Sequence, residues 1–216
     1  MFEPKCIIFD CDGVLVDSEP LGIKALLDLA KPTGFTMPFS RAMDTFVGWS
    51  LKRQFDFIEK SIGNQLPANF EAEYRQYSFQ LFEQMVEPMP GAVDFLKNLT
   101  VPYCVASNGP LQKMAVTLKK SGLAQYFDSN IFSAYQIGKF KPEPDLFEFA
   151  AREMGFPSNN CLVIDDSEAG VQAALAGGFP IVHFGLRKFP ISETVPAAES
   201  FAALRTLMSK RLFAEP

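Results

Sequence analysis

Short, wholly apolar runs alternate along this chain with longer stretches in which apolar residues recur every three or four positions. Five runs are strand candidates: Cys6–Asp10, Tyr103–Ser107, Asn130–Ser133, Cys161–Asp165 and Pro180–Phe184. Segments such as Cys6-Ile7-Ile8-Phe9 and Leu162-Val163-Ile164 do not alternate apolar with polar residues. Both faces of such strands should be buried, as in a parallel sheet. Helical spacing predicts helices over Gly91–Leu99, Gln112–Ser121, Pro144–Met154 and Glu168–Ala176. Gly122, Gly155 and Gly177-Gly178 mark the ends of the last three. Strand alternating with helix predicts an α/β fold with right-handed crossovers. A final amphipathic helix is expected over Thr194–Phe213, from Phe201, Leu204, Leu207 and Met208.

The rhythm breaks between Ser18 and Met85. Leu51, Phe55, Ile58 and Ile62 follow helical spacing, as do Phe70, Tyr74, Tyr77, Leu81, Phe82 and Met85. The stretch is long enough for about four helices and has no strand pattern. It reads as a helical insertion that returns through Glu87-Pro88-Met89-Pro90-Gly91, a stiff linker or hinge. The expected domains are therefore a core of residues 1–17 with 86–216 and an inserted helical domain of residues 18–85. The aromatic stripes of the insertion read as helix-bundle core.

Composition narrows the function. The 216 residues are 48% hydrophobic and 21% charged, ordinary values for a globular chain with a sizeable core. The net charge of −5 argues against a nucleic-acid partner, which would need a basic face. No apolar run approaches the ~18 residues of a membrane span. Met1–Lys5 leads at once into a core strand, so no signal peptide is expected and the chain reads as cytoplasmic. Cys6, Cys11, Cys104 and Cys161 show no paired spacing and read as small buried residues. With a single histidine, His183, they do not make a zinc site. His183 reads as a hydrogen-bonded residue at a strand end.

Four polar clusters sit where strands end or helices begin: Asp10-Cys11-Asp12-Gly13, Ser107-Asn108-Gly109, Lys141-Pro142-Glu143-Pro144-Asp145 and Asp165-Asp166-Ser167. Parallel sheets carry their chemistry at the carboxyl ends of their strands. Singly, each cluster has a plain reading: an Asp-rich turn, a Ser-Asn-Gly turn, a solvated lysine, a helix cap. Together they would surround one point.

In this order, DCDGV, SNG, KPEPD and DDSEAG resemble the four signature motifs of the haloacid dehalogenase superfamily. The resemblance covers essentially the whole chain. The insertion lies where that superfamily carries an α-helical (C1-type) cap on a Rossmann-like parallel sheet. Within the superfamily the chain is similar to the beta-phosphoglucomutase-like sugar-phosphate phosphatases. The resemblance implies that Asp10 is the nucleophile, forming an aspartyl phosphate, and that Asp12 moves the proton. Ser107, Asn108 and Gly109 would hold the phosphoryl oxygens, and Lys141 would balance charge. Mg²⁺ would be held by Asp10, Asp12 (through its backbone carbonyl), Asp166 and Asp165. Asp12 should need a higher pKa than Asp10, as in other split carboxylate pairs. A second aspartate at this position favours phosphoryl transfer over carbon–halogen cleavage.

The implied substrate is a small phosphorylated metabolite, a sugar phosphate or a sugar-acid phosphate such as 6-phosphogluconate. The implied enzyme is a monomer or weak homodimer with neither a nucleic-acid nor a membrane partner. In the resembled subfamily a cap loop helps choose substrates. Here that loop would be Val47–Arg53, making Trp49, Ser50, Lys52 and Arg53 candidates. The alternative is that Trp49 fills the cap core and Lys52 and Arg53 are solvated. An isomerase of the beta-phosphoglucomutase kind would use the same aspartyl phosphate. That subgroup carries arginine where Leu51 falls here, which counts against it.

Overall fold

The computed structural model describes residues 2–214. Its strands are β1 (Cys6–Phe9), β2 (Tyr103–Ser107), β3 (Ile131–Ser133), β4 (Cys161–Asp165), β5 (Ile181–Phe184) and β6 (Ala197–Ala198). Every pairing is parallel, in the order β3-β2-β1-β4-β5-β6. The helices are α1 (Glu19–Ala30), α2 (Phe39–Phe46), α3 (Leu51–Ile62), α4 (Phe70–Met85), α5 (Ala92–Asn98), α6 (Leu111–Lys120), α7 (Ala134–Ile137), α8 (Asp145–Glu153), α9 (Glu168–Ala176) and α10 (Phe201–Leu207).

Sheet order positions the site. From β1 the chain builds outward through β2 to β3, then returns to the other side of β1 with β4 and continues to β6. The order reverses between β1 and β4, and open parallel sheets bind ligands in the crevice beyond that reversal. All four residues of β1 are buried, as expected of a central strand covered on both faces. One face sends Cys6, Ile8, Ala106 and Val163 into a layer with Leu146, Phe147, Ala150 and Val171 from α8 and α9. On the other face Phe9 meets Phe95 of α5 edge-on, and Phe95 packs against Phe201 and Phe213. All four cysteines are buried free thiols.

One expected element differs. In place of a single helix over Thr194–Phe213, the chain forms a 3₁₀ turn (Pro190–Thr194), the edge strand β6, α10 and a second 3₁₀ turn (Lys210–Leu212). Pro196 cannot donate within a helix and disfavours helical backbone at Val195. Ser200 then caps α10, accepting a hydrogen bond from the Ala203 amide at 3.2 Å. β6 escapes sequence reading because two alanines carry neither periodicity nor β-propensity.

The chain divides into two compact units, Met1–Asp17 with Glu87–Pro216, and Ser18–Val86. In the first unit the outgoing and returning segments run side by side. The Asp17 amide donates to the Glu87 carbonyl at 3.0 Å and the Met89 amide to Leu15 at 2.8 Å. The second unit has its own core, with Ile23, Leu26, Phe35, Phe46, Ile58, Phe70 and Leu81 buried.

Candidate active site

Asp10 is the first residue beyond β1. Its amide extends the ladder to β4 by donating to the Ile164 carbonyl at 2.9 Å. Asp165 ends β4 and Ser107 ends β2, so three neighbouring strands deliver these side chains to one edge. Lys141, from the loop before α8, joins them. Its ammonium donates to Asp10 Oδ1 and to Asp165 Oδ2, each at 2.7 Å, and lies 4.7 Å from the Phe147 ring centre. The trio is withdrawn from water: Asp10 is 8% exposed, Lys141 7% and Asp165 0%. The other Asp165 oxygen accepts from the Ser167 amide at 2.9 Å and its hydroxyl at 2.7 Å. Ser167, which the sequence offered only as a helix cap, does both jobs, since its hydroxyl also accepts from the Gly170 amide at 3.0 Å.

Two glycines exist to make room. Gly13 has φ +76°, and a Cβ there would fall 2.2 Å from Asp166 Oδ2. A Cβ on Gly170 would fall 1.9–2.1 Å from the Asp165 carboxylate. The backbone of the first loop and of α9 therefore press directly on the two acids. The tight turn after Asp12 is closed by the Val16 amide donating to the Cys11 carbonyl at 3.0 Å. Cys11, between the aspartates, is buried with its sulfur 4.0 Å from the Thr117 hydroxyl of α6. Burial holds that thiol well above its ordinary pKa.

Asp12 takes a different partner from Asp10. Its Oδ2 lies 2.8 Å from the ammonium of Lys113, in the first turn of α6. The Ser107-Asn108-Gly109 loop passes close to Asp12, a Cβ on Gly109 falling 3.7 Å from Asp12 Oδ2. The Gly109 amide donates to Ser107 Oγ at 3.1 Å, and the Ser133 hydroxyl donates to the Gly109 carbonyl at 2.7 Å. The Asn108 side chain clasps the Lys141 backbone, accepting from its amide at 2.9 Å and donating to its carbonyl at 3.3 Å. These two bonds tie the loop to the backbone of the lysine.

Ligand oxygens of Asp10, Asp165 and Asp166 lie within 4.8 Å of one another. Three carboxylates against one ammonium leave two formal negative charges in a buried cleft. Burial, the largest influence, pushes the Asp10 carboxyl up to about 7, against the pull of Lys141. Burial also works against the Lys141 ammonium, but the charges of Asp10 and Asp165 win and raise its pKa above the ordinary value. An all-oxygen donor set with surplus negative charge fits a hard divalent cation such as Mg²⁺.

The remaining candidates lie in the helical unit. Trp49 packs edge-on against Phe46 and Phe57, and the Arg53 guanidinium stacks 3.7 Å from its ring centre. Ser50 caps α3, and exposed Lys52 pairs with Asp56 at 2.8 Å. Gln54 fixes the turn by donating to the Phe46 and Trp49 carbonyls at 3.3 and 3.1 Å. Each candidate therefore has a local structural role. His183 meets expectation in part, since its ring makes a hydrogen bond to the Asp166 backbone. It is buried on β5 beside Asp165, its ring edge-on to Phe189, and Nε2 finds no hydrogen-bond partner among the described residues. Burial lowers its pKa below the ordinary imidazole value. Lys113 and Gly170 are the site residues that sequence reading passed over. The available signal for Lys113 was a cation at the start of a helix, where the dipole favours acids.

Residues 4–178 match the model of the haloacid dehalogenase-like hydrolase family. The chain is 36% identical over 182 residues to 6-phosphogluconate phosphatase of Escherichia coli K12, covering 83% of this chain and 82% of that protein. Among solved structures it is similar to a haloacid dehalogenase-like protein of unknown function from Agrobacterium tumefaciens. That pair has a TM-score of 0.84 at 27% identity, covering 95% and 97% of the two chains. It also resembles a family hydrolase from Deinococcus radiodurans, solved with bound phosphate and sodium, with a TM-score of 0.78 at 25% identity over 94% of each chain.

Proposed function

Because the chain belongs to the haloacid dehalogenase-like hydrolase family, we propose that it is a Mg²⁺-dependent phosphatase of a small phosphorylated metabolite. The observation that carries this reading is the buried Asp10–Lys141–Asp165 trio at the sheet reversal, with Asp166 beside it. A phosphate monoester brings about −1.5 to −2 charges. One ammonium and one divalent cation offset the three acids and so reduce the repulsion the ester would meet.

Asp10 attacks phosphorus, a phosphorus–oxygen bond forms to its carboxylate, and the bond to the leaving alcohol breaks. Asp12 gives the departing oxygen its proton, then takes one from the water that cleaves the aspartyl phosphate. The Ser107 hydroxyl and the Asn108 amide hold the phosphoryl oxygens, with Gly109 completing the loop. Lys141 keeps Asp10 oriented and offsets charge as the phosphoryl group transfers. Asp10, Asp166 and the Asp12 carbonyl would hold Mg²⁺, with Asp165 behind them. The cation when bound supplies charge stabilisation for phosphoryl transfer. Residues 1–17 with 86–216 would form the catalytic core and 18–85 the cap.

The substrate class follows the similarity to 6-phosphogluconate phosphatase: a sugar phosphate or sugar-acid phosphate, with 6-phosphogluconate the first to test. Trp49, Ser50 and Lys52 are assigned to substrate choice. Leu51 packs among the apolar residues of the helical unit and offers no charge for the second phosphate an isomerase must hold. The test is phosphate release over a panel of phosphorylated sugars and sugar acids, with Mg²⁺ and with chelator. Release that requires Mg²⁺ supports the reading. Isomerised sugar without released phosphate, or turnover indifferent to chelator, overturns it.

A further inference from the structure

The two aspartates of the first loop are sorted by two different lysines. Lys141 takes Asp10 at 2.7 Å, and Lys113 takes Asp12 at 2.8 Å. The Asp12 carboxylate is not among the Asp10, Asp165 and Asp166 carboxylates that could hold a cation. Lys113 is an odd choice for its own helix. It lies in the first turn of α6, where the dipole opposes a cation, whereas Lys119 and Lys120 already occupy the favourable last turn. Its position is explained by what it reaches. A Cβ on Gly109 would lie 3.5 Å from Ser107 Oγ, 3.7 Å from Asp12 Oδ2 and 3.8 Å from Lys113 Cδ. Acid, lysine and phosphoryl loop therefore converge over a backbone that carries no side chain.

We propose that Lys113 is a positioning residue that fixes the Asp12 carboxylate over the Ser107–Gly109 loop, on the leaving-group side of the phosphoryl site. The inference rests on the proposed role of Asp12 as proton donor. An aspartate free to turn about χ1 and χ2 would spend little time within proton-transfer reach. Proton transfer needs heavy atoms about 2.6–3.2 Å apart, and a 1 Å misplacement can cost about a hundredfold in rate. Lys113 supplies a charged restraint on Asp12, its ammonium 2.8 Å from Oδ2. Lys113 itself does no chemistry; it acts through Asp12.

The test compares leaving groups. Nitrophenolate leaves without a proton, whereas a sugar alkoxide needs one. Lys113→Met should lower kcat/KM for 6-phosphogluconate, or whichever sugar phosphate the wild type hydrolyses best, by about ten- to a hundredfold. The value for p-nitrophenyl phosphate should change by less than about threefold, because kcat/KM reports steps up to departure of the leaving group. Lys113→Arg should recover most of the loss on the sugar phosphate. Lys113→Gln, read alongside circular dichroism and Tm, replaces Lys113→Met if the latter fails to fold. Equal losses on both substrates, or no loss on either, would overturn the inference. Asp12→Asn separates the two levels. If it leaves sugar-phosphate turnover intact, the proposed role of Asp12 fails. If it abolishes turnover while Lys113→Met does not, only the role of Lys113 fails.

Discussion

Gly170→Ala sets two effects of known size against each other. Gly170 is buried within α9, and replacing a helical glycine by alanine gains about 1 kcal/mol of helix propensity. The added Cβ would fall 1.9 Å from Asp165 Cγ and about as close to both carboxylate oxygens. Asp165 cannot yield cheaply. It is fully buried, and its oxygens are held by Lys141 at 2.7 Å and by Ser167 at 2.7 and 2.9 Å. Moving it separates Asp165 from a buried ammonium, and breaking such a pair costs about 3–5 kcal/mol. The net expectation is destabilisation by roughly 2–4 kcal/mol, or about 5–15 °C in Tm at 2–4 °C per kcal/mol. Phosphatase activity should fall with it, because Lys141 would lose one of its two anchors. Urea unfolding and calorimetry on the chelated protein read the stability. Gly22→Ala in α1 is the control, because its Cβ would meet only the Tyr74 hydroxyl, at 3.2 Å. If Gly170→Ala is as stable as the wild type or more so, the carboxylate is not pinned as described.

Lys141→Met should lower stability by about 3–5 kcal/mol in chelator, by leaving buried carboxylates without their ammonium, with added Mg²⁺ restoring part of it in the same melts. Asp10→Asn should be increasingly more stable than the chelated wild type as pH rises. The folded Asp10 carboxyl titrates near 7, against about 4 when unfolded. The folded state therefore binds the extra proton in that window, so wild-type stability falls as pH rises from about 4 to 7; a Tm gap that does not grow between pH 5 and 8 contradicts this. In the active enzyme a bound cation favours ionised Asp10, so the acid limb of kcat/KM should lie below pH 7 at saturating Mg²⁺. It should move up as Mg²⁺ is withdrawn; a limb independent of Mg²⁺ refutes the coupling. Trp49→Ala should reorder the preferred sugar phosphates while changing acetyl phosphate turnover by less than about threefold, and an unchanged ranking would remove that turn from substrate choice.

What the sequence made legible follows a physical rule. Buried parallel strands and glycine-stopped helices leave continuous apolar runs and positive-φ glycines, such as Gly122 and Gly155, so these elements were readable to within a residue or two. The acids were readable because they lie at strand ends in known motifs, and Lys141 because its motif leads into a helix. What stayed hidden was set by contacts between distant segments. β6 exists because Ala197 and Ala198 find an edge on β5, and nothing local marks them. The Asn108 clasp on Lys141 spans 33 residues, and the Asp12–Lys113 pair joins residues separated by α1–α5 and β2. The unpaired Nε2 of His183 and the rise in the Asp10 pKa are consequences of burial. Spacing alone reveals neither.

The claim on which the rest depends is that Asp10 takes the phosphoryl group. Mixing the Mg²⁺-loaded enzyme with its best sugar phosphate, quenching in acid within milliseconds and mapping the peptides by mass spectrometry tests it directly. The account predicts one phosphoryl group on Asp10, appearing before free phosphate accumulates and absent from Asp10→Asn. A phosphoryl group on another residue, or full phosphate release by Asp10→Asn, would contradict it.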